Sequence, residues 1–309
     1  MQTILGATGP IGKELAKELH RNYTTDIRIV SRNPVRINDT DNVFAADLLE
    51  AEQTNEAVKG SDIAYLTVGL PMDTELWEVQ FPVIMRNVID ACKEQKVKLV
   101  FFDNTYMFPQ NEDTLTEDTP FKPVGRKGTV RAKITNMLLD EMERGEIEAM
   151  ICRAPEFYGP GETKSITNFL IFESIRKGER PKIMLRDDVL KTLIWTPDAS
   201  QAMALLGNTP DAYGKSWHLP CDDNRLTYKE FMAEVSRVYK QDFQYDILSR
   251  EFIEQQSTSN KVFEELLELL PRYEHDNVFD SSRFKGRFPD FRVTTYREGI
   301  EQMYIDQTL

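Results

Sequence analysis

A glycine-rich turn lies close to the start of the chain, between an apolar strand and an amphipathic helix. The strand covers Gln2 to Leu5, the turn reads GATGPIG from Gly6 to Gly12, and helical spacing of apolar residues extends from Pro10 to Arg21. Three glycines at this spacing permit a tight turn, close approach of the backbone to a pyrophosphate, and close packing of helix on strand. The N-terminus of the helix adds free N–H groups and a positive dipole end. The turn therefore predicts a dinucleotide site on a Rossmann-type sheet.

Strands and helices continue to alternate after this turn. Strands are predicted at 26–30, 42–45, 62–68, 97–102 and 148–152, and helices at 51–58, 76–95 and 126–144. Alternation of this kind predicts an α/β fold with a doubly wound parallel sheet. It stops after Arg153, where Gly159, Pro160 and Gly161 interrupt the chain and the remaining segments are mostly helical.

The change of pattern predicts two interwoven parts. We expect a dinucleotide-binding Rossmann domain over residues 1–155, to which 190–220 return, and a smaller, mainly helical C-terminal substrate lobe over 156–189 and 221–309. A helix is predicted at 166–177 within that lobe.

Composition argues against several classes of function. A net charge of −13 disfavours broad attraction to nucleic acid or to an anionic membrane surface, and no apolar run reaches the roughly 18 residues of a membrane span. The three cysteines and three histidines are scattered, which predicts reduced core thiols and no metal site. Met1 is followed at once by a strand, so we expect a cytoplasmic protein without a leader.

The residues after the second strand indicate which dinucleotide is bound. An NAD site usually carries an acidic residue there, whereas this chain has Ser31 and Arg32, with Arg36 nearby. A guanidinium can pair with a 2′-phosphate that a carboxylate would repel. The pattern predicts NADP and makes NAD the less favoured cofactor, although a solvated loop arginine is the simpler alternative for Arg32.

Further cofactor contacts are expected where other strands end. Asp47 and Leu48 follow the third strand and would meet the adenine, or would only form a surface turn. Val68 and Gly69 follow the fourth strand and would pass beneath the cofactor. The predicted cofactor-binding residues from these strand ends and from the glycine turn are Gly6, Thr8, Gly9, Pro10, Ile11, Gly12, Ser31, Arg32, Asp47, Leu48, Val68 and Gly69.

With these motifs the sequence resembles the extended short-chain dehydrogenase/reductase family of NAD(P)-dependent epimerases, dehydratases and reductases. The resemblance covers most of the chain and rests on GATGPIG, Ala46-Asp47-Leu48, Leu99–Phe102, Arg153 with Tyr158-Gly159-Pro160, Thr196-Pro197-Asp198 and Trp217–Pro220. It implies that Pro155 approaches the carboxamide of the nicotinamide, and that Glu156 and Tyr158 face a substrate. It also implies that Arg186, Trp195, Arg283 and Lys285 lie where related enzymes bind the bulky part of a substrate, often a nucleotide sugar.

The sequence departs from the family at the catalytic positions. The resemblance implies a tyrosine four residues before a lysine on the helix after the fifth strand. Lys133 fits the lysine and would also hold the nicotinamide ribose, but Thr129 stands at the tyrosine position, with Arg126 on the same helical face. A threonine hydroxyl is a poor general acid because its pKa lies far above that of a phenol.

Other side chains near the fifth strand could take over the chemistry. A gap-free match places Asn104 at the position of the family's serine, where its amide could polarise a carbonyl. Tyr106 is the nearest phenol in sequence and could transfer the proton or simply pack under the cofactor. Asp103 is a second candidate acid or base. The candidate catalytic residues are Lys133, Tyr106, Asn104 and Thr129.

The sequence leaves two functions open. One is an oxidoreductase or epimerase that moves hydride between the nicotinamide and the carbonyl or alcohol carbon of a small molecule. The other is a binding protein that kept the NADP site, lost the tyrosine, and senses redox state or a metabolite. The resemblance also implies a homodimer through the helices near 76–95 and 126–144.

Overall fold

The computed structural model describes residues 1–161 and 165–308. In chain order the strands within these ranges are β1 (Gln2–Leu5), β2 (Ile27–Ser31), β3 (Asn42–Ala45), β4 (Ile63–Leu66), β5 (Lys98–Asp103), β6 (Ala149–Arg153), β7 (Glu156–Tyr158), β8 (Lys182–Met184), β9 (Leu190–Lys191), β10 (Leu193–Trp195), β11 (Ser216–His218), β12 (Leu226–Thr227) and β13 (Asp246–Leu248).

The α-helices, again in chain order, are α1 (Pro10–Asn22), α2 (Ala51–Val58), α3 (Thr74–Gln95), α4 (Arg126–Glu143), α5 (Glu173–Arg176), α6 (Thr196–Gly207), α7 (Tyr228–Tyr239), α8 (Arg250–Ser257), α9 (Lys261–Leu267), α10 (Ser282–Arg287) and α11 (Tyr296–Thr308). Short 3₁₀ turns cover Pro210–Ala212 and Leu270–Tyr273. The helix predicted at 166–177 is instead a π-helical turn, Asn168–Phe172, that continues into α5. Among the described helices, none combines the length and the apolar composition that crossing a bilayer would require.

The main sheet confirms the predicted fold class. Among the described residues it has seven strands, all parallel, in the order β3, β2, β1, β4, β5, β6, β11. The order reverses between β1 and β4, whose register pairs Leu5 with Leu66. In an open α/β sheet, ligands bind beyond the carboxyl ends of the strands at such a reversal.

Helices cover both faces of this sheet. On one face α2, α3 and α4 bury an apolar cluster that includes Leu66, Val88, Phe101 and Ile134. On the other face α1 and α6 are joined by the Ser200 hydroxyl, which donates to the carbonyl of Ile11 at 3.1 Å. Because both faces are covered, the central strands are almost continuously apolar.

The chain divides into two compact units, of which the first contains residues 1–107, 125–154 and 199–219 and carries the main sheet. The second contains 108–124, 155–198 and 220–309, of which 162–164 and 309 lie outside the described residues. Its strands pair in twos, β7 with β10, β9 with β12, and β8 with β13. Its core includes Tyr158, which packs against Phe172, Trp195, Phe231 and Tyr296.

This division differs from the predicted ranges in two places. The segment 108–124 belongs to the second unit, where Leu115 exchanges backbone hydrogen bonds of 2.8 Å with Val278 and Asp280. The return to the first unit begins at Ala199 rather than at residue 190, because β10 pairs with β7 in the second unit. Pairings between segments far apart in sequence decide both boundaries.

Candidate functional site

The glycine turn is shaped by close backbone contacts at the carboxyl ends of β1 and β4. Gly6 has a φ of +90°, and a Cβ atom there would lie 2.8 Å from the Cα atom of Val68. A Cβ atom on Gly12 would lie 2.6 Å from the Cα atom of Ala7. Larger residues at either position would push helix, turn and strand apart, so both glycines are required by the fold itself.

The start of α1 is open toward the same edge of the sheet. Gly9 precedes the helix without a side-chain cap, and the first turn carries no acidic residue. Among the described residues, a Cβ atom on Gly9 would meet only the Gly6 carbonyl, at 3.5 Å. The first N–H groups of a helix have no intrahelical partner and attract anions. Pro10 starts the helix and Ile11 is buried, while Thr8 is exposed. This cradle fits a pyrophosphate.

The end of β2 lies beside the glycine turn, since the N–H groups of Gly6 and Ala7 both donate to the carbonyl of Val30. The hydroxyl oxygen of Ser31 is buried and has no hydrogen-bond partner among the described residues. A buried hydroxyl without a partner costs about 1–3 kcal/mol, so its position calls for a polar ligand. Arg32, the next residue, is exposed, and no carboxylate of the described chain pairs with it. Both groups are therefore available to donate hydrogen bonds at the end of β2.

Asp47 and Leu48 form the connection between β3 and α2. Oδ1 of Asp47 accepts from the backbone N–H of Leu49 at 3.0 Å, and the N–H of Asp47 donates to Oε1 of Gln53 at 2.9 Å. Leu48 is buried, and its carbonyl accepts from Nδ2 of Asn87 at 2.9 Å. These hydrogen bonds stabilise the connection without a ligand. Contact of Asp47 or Leu48 with adenine stays a prediction.

The connection after β4 lies directly beside the glycine turn. The N–H and the hydroxyl of Thr67 both donate to the Leu5 carbonyl, at 2.9 and 3.1 Å. Val68 is half-buried against Gly6, whereas Gly69 is exposed and would accommodate a Cβ atom freely. The structure therefore brings Val68 to the predicted edge of the sheet and leaves Gly69 open to solvent.

The end of β5 carries a buried carboxylate. Asp103 is 1% exposed, and its Oδ1 accepts from Nε of Arg131 at 2.9 Å, from Nη2 of the same guanidinium, and from the N–H of Asn104 at 2.8 Å. Its Oδ2 accepts from the hydroxyl of Thr135 at 2.8 Å and lies 3.7 Å from Nε of Arg153. Asp103 therefore fastens α4 to the strand end, which differs from the acid or base role expected from sequence.

Asn104 and Tyr106 follow this carboxylate. Oδ1 of Asn104 accepts from the N–H of Tyr106 at 3.0 Å, which leaves the amide donor of Asn104 without a bond to the described residues. The Tyr106 ring is half-buried and stacks on Trp77, with ring centroids 6.0 Å apart and planes at 16°. Asn104 can thus donate to a ligand at this edge, while the contacts of the Tyr106 ring are those of packing.

The face of α4 that is buried is not the face predicted from the sequence. Thr129 and Lys133 are both exposed, and the Thr129 hydroxyl donates back to the Gly125 carbonyl at 2.8 Å. Arg126 is exposed as well and pairs with Glu78 through two hydrogen bonds of 2.8 and 2.6 Å. The predicted stripe of Arg126, Thr129 and Lys133 therefore faces solvent.

The buried face of α4 instead carries two basic residues that the family motif does not single out. Lys127 is 1% exposed and Arg131 is 4% exposed, four residues apart, as in a Tyr-x-x-x-Lys pair. Val130, Ile134 and Leu138 are buried on the same side of the helix. Their apolar spacing is the signal that identifies this face, since a helix buries its apolar stripe.

The second unit contains Pro155, Glu156 and Tyr158. Pro155 is buried at the start of one of its segments. One carboxylate oxygen of Glu156 accepts from the N–H and the hydroxyl of Thr167, at 2.9 and 2.6 Å, and the other accepts from the Tyr273 hydroxyl at 2.7 Å. Tyr158 is enclosed by aromatic rings, and its buried hydroxyl has no bonding partner among the described residues. Three donors thus fix the Glu156 carboxylate in place.

The four residues expected to bind the bulky part of a substrate have close neighbours within the second unit. Arg186 forms two bonds to Asp188, at 2.8 and 3.0 Å, and Trp195 packs on Tyr158 with ring centroids 5.1 Å apart. The cationic groups of Arg283 and Lys285 lie 2.6 and 2.7 Å from the carboxylates of Asp118 and Asp223. Local carboxylates therefore balance the charge of all three cations.

Comparison with known families agrees with the geometry of the first unit. The sequence model of the NAD dependent epimerase/dehydratase family matches residues 3–219, which include the glycine turn and, apart from Gln2, all seven strands of the main sheet. The chain belongs to this epimerase/dehydratase family. The match confirms the family resemblance inferred from the glycine turn and the strand ends.

Solved structures of epimerases share the fold of this family member at low sequence identity. UDP-glucuronic acid 4-epimerase from Bacillus cereus, in complex with NAD, has a TM-score of 0.80 at 13% identity and covers 100% of this chain and 99% of its own. UDP-glucose 4-epimerase from Thermus thermophilus, also with NAD, has a TM-score of 0.78 at 14% identity, with 100% and 99% covered. At such identities the likeness concerns the fold.

One curated protein that is similar in sequence matches a smaller part of this chain. An uncharacterized protein from Sinorhizobium fredii is 27% identical over 136 residues, which cover 44% of this chain and 37% of that protein. The matched region thus spans less than two fifths of the relative's length.

Proposed function

We propose that the protein binds NADP(H) across the carboxyl ends of β1, β2 and β4. The observation that carries this proposal is the buried Ser31 hydroxyl, which has no partner among the described residues and lies next to the exposed Arg32. A serine hydroxyl and a guanidinium are donors suited to a 2′-phosphate, and no carboxylate stands at this position to repel it. The uncapped start of α1 would hold the pyrophosphate.

The proposed reaction is oxidation, reduction or epimerisation of a small carbonyl or alcohol compound. The nicotinamide supplies hydride chemistry when it is bound, and the protein orients the substrate and excludes water. Asn104 has an amide donor available at the end of β5, where it would polarise the substrate oxygen. Membership of the family, together with the UDP-sugar epimerases of the same fold, supports a nucleotide sugar as substrate.

Calorimetric titration of the purified protein with NADPH and with NADH tests the cofactor. We expect NADPH to bind at least about tenfold more tightly, and Arg32→Asp to reverse that preference because a carboxylate would repel the 2′-phosphate and accept from ribose hydroxyls. Arg21→Asp changes the charge equally at an exposed position in the last turn of α1 and should leave the preference unchanged. Equal affinities in the unmodified protein would overturn the assignment to NADP.

A second candidate function is sensing of redox state or of a metabolite. Thr129 is exposed and stands where the family has its catalytic tyrosine, so this position offers no proton donor for a reaction. The Thr129 hydroxyl bonds within its own helix, as expected for a residue without a catalytic role. Incubation of the NADP⁺-bound protein with UDP-glucose and UDP-glucuronic acid, and of the NADPH-bound protein with their 4-keto derivatives, separates the two. A sugar product of altered configuration, or oxidation of NADPH, supports the enzyme, whereas tight binding without turnover supports the sensor.

We also propose a cytoplasmic homodimer. Val79 and Val83 lie one turn apart on α3 and are 68% and 41% exposed, which suits a contact between copies of this helix. The three cysteines are buried and reduced, in keeping with a reducing compartment. Sedimentation of the unmodified protein and of Val79→Asp tests the dimer, since the variant should sediment as a monomer.

A further inference from the structure

We propose that Asp41 is a positioning residue for NADP(H), because it fixes the connection between β2 and β3 that carries Arg32 and Arg36. The inference rests on the proposed binding of NADP(H), and it adds the residue that sets how strongly this cofactor is preferred over NAD(H). Asp41 acts through the two arginines and does not contact the cofactor itself.

The connection between β2 and β3 contains no helix. Residues 32–41 join two neighbouring parallel strands, a link that usually includes one. Arg32 and Arg36 both lie in this connection and are exposed, and no carboxylate of the described residues pairs with either guanidinium. A segment without regular structure keeps two such side chains in one arrangement only if other contacts fix its backbone.

Asp41 supplies contacts of this kind at the end of the connection. The residue is 1% exposed, and its Oδ2 accepts from the backbone N–H groups of Ile37 and Asn38 at 3.0 and 2.7 Å. Its Oδ1 accepts from Nδ2 of Asn38 at 3.1 Å, and its own N–H donates to the Asn38 carbonyl at 3.1 Å. These bonds close a turn that begins directly after Arg36.

Asn38 ties the same turn to α1. Its Nδ2 atom donates to the carbonyl of Ala16 at 3.1 Å as well as to Asp41. The first turn of α1 is the part that would hold the pyrophosphate, so this bond fixes the connection relative to that part of the cofactor. The two phosphate-binding parts of the proposed site are therefore joined before a ligand binds, which reduces the entropy lost on binding.

The consequence is a loss of affinity where charge alone predicts a gain. Removal of a carboxylate close to an anionic ligand should strengthen binding, because a repulsion is removed. Removal of the Asp41 carboxylate instead frees the connection, so that both arginines must be ordered when the 2′-phosphate binds. NADH lacks this phosphate, and its affinity should not change.

The ratio of the dissociation constants for NADH and NADPH, measured by calorimetric titration, tests this role. We expect Asp41→Ala to lower the ratio about tenfold through weaker binding of NADPH. Asp41→Asn keeps a side-chain oxygen that can accept from the same N–H groups and should recover most of the ratio. Asn38→Ala removes the bond to α1 and should lower the ratio in the same direction. Since both residues act through one turn, the double variant Asp41→Ala with Asn38→Ala should lose little more than either alone.

Asp39→Ala is the matched control, because Asp39 is an exposed carboxylate of the same connection. Its removal measures the effect of charge and should leave the ratio unchanged or raise it. An unchanged or raised ratio in both Asp41→Ala and Asn38→Ala would overturn the inference while the preference for NADPH stands. Equal weakening of NADH and NADPH would also overturn it, since a general loss of structure affects both. Equal affinities in the unmodified protein would overturn the proposed function as well.

Discussion

Arg131 donates two hydrogen bonds to a single carboxylate oxygen of Asp103, although the residues lie 28 positions apart in sequence. The other oxygen accepts from the Thr135 hydroxyl at 2.8 Å. One strand end and one helix face are thereby joined by buried, charged hydrogen bonds, which have little freedom to rearrange. This link sets the rotation of α4 about its axis.

Asp103→Asn should therefore be strongly destabilising. It leaves the Arg131 guanidinium buried without its counterion, and breaking a buried ion pair on one side typically costs about 3–5 kcal/mol. Urea unfolding followed by circular dichroism measures the loss. Thr135→Val removes one neutral donor to the same carboxylate and should cost about 1 kcal/mol. Equal small effects from both variants would contradict the importance given to the ion pair.

Gly9→Ala and Gly12→Ala should separate cofactor binding from folding. A Cβ atom at Gly9 meets only a carbonyl oxygen at 3.5 Å among the described residues, whereas one at Gly12 lies 2.6 Å from the Cα atom of Ala7. We expect Gly9→Ala to keep its melting temperature and lose most NADPH affinity, because the methyl group would occupy the pyrophosphate approach. Gly12→Ala should lower the melting temperature by several degrees even without cofactor. Calorimetry and thermal unfolding of the two variants check this contrast.

Gly299→Ala should destabilise the second unit through Tyr158. A Cβ atom at Gly299 would lie 2.4 Å from the Tyr158 hydroxyl oxygen, which is buried and makes no bond to the described residues. Tyr158→Phe removes that oxygen and should be neutral or stabilising. The double variant should recover part of the loss, so a double-mutant cycle measured by urea unfolding is expected to show coupling of about 1 kcal/mol or more. Additive effects would contradict the contact.

Asp198 should make the protein less stable as pH rises from about 4 to 6. Burial raises its pKa to about 6, although Thr294 donates to both carboxylate oxygens at 2.6 and 2.8 Å. The folded chain therefore retains a proton that the unfolded chain, with an Asp pKa near about 3.9, has released. The stabilisation is complete below about pH 4 and is lost as pH rises through about 6. Asp198→Asn should remove this part of the pH dependence, measured by urea unfolding at several pH values.

Much of the first unit follows from local sequence. The strands and helices from β1 to β6 all lie within about two residues of their predicted bounds. Regular alternation of buried strands with amphipathic helices allows few other arrangements. The glycine turn was equally informative, because its spacing reflects backbone contacts between adjacent segments.

Which side chains lie at the candidate site depended more on tertiary packing than on local sequence. The family resemblance assigned Thr129 and Lys133 to the cofactor-facing side of α4, but a four-residue interval by itself fits any face of a helix. Apolar residues at Val130, Ile134 and Leu138 determine which face is buried, and the bond from Arg131 to Asp103 shows where that face lies on the sheet. Neither is contained in the motif itself.

The sequence by itself determined the parallel sheet, the family and the polar end of β2, because each depends on residues close together in the chain. Only the tertiary structure decided that 108–124 joins the second unit, that β10 pairs with β7, and that Lys127 and Arg131 are buried while Lys133 is exposed. These features depend on contacts between segments far apart in sequence, and such contacts form only when the whole core is packed.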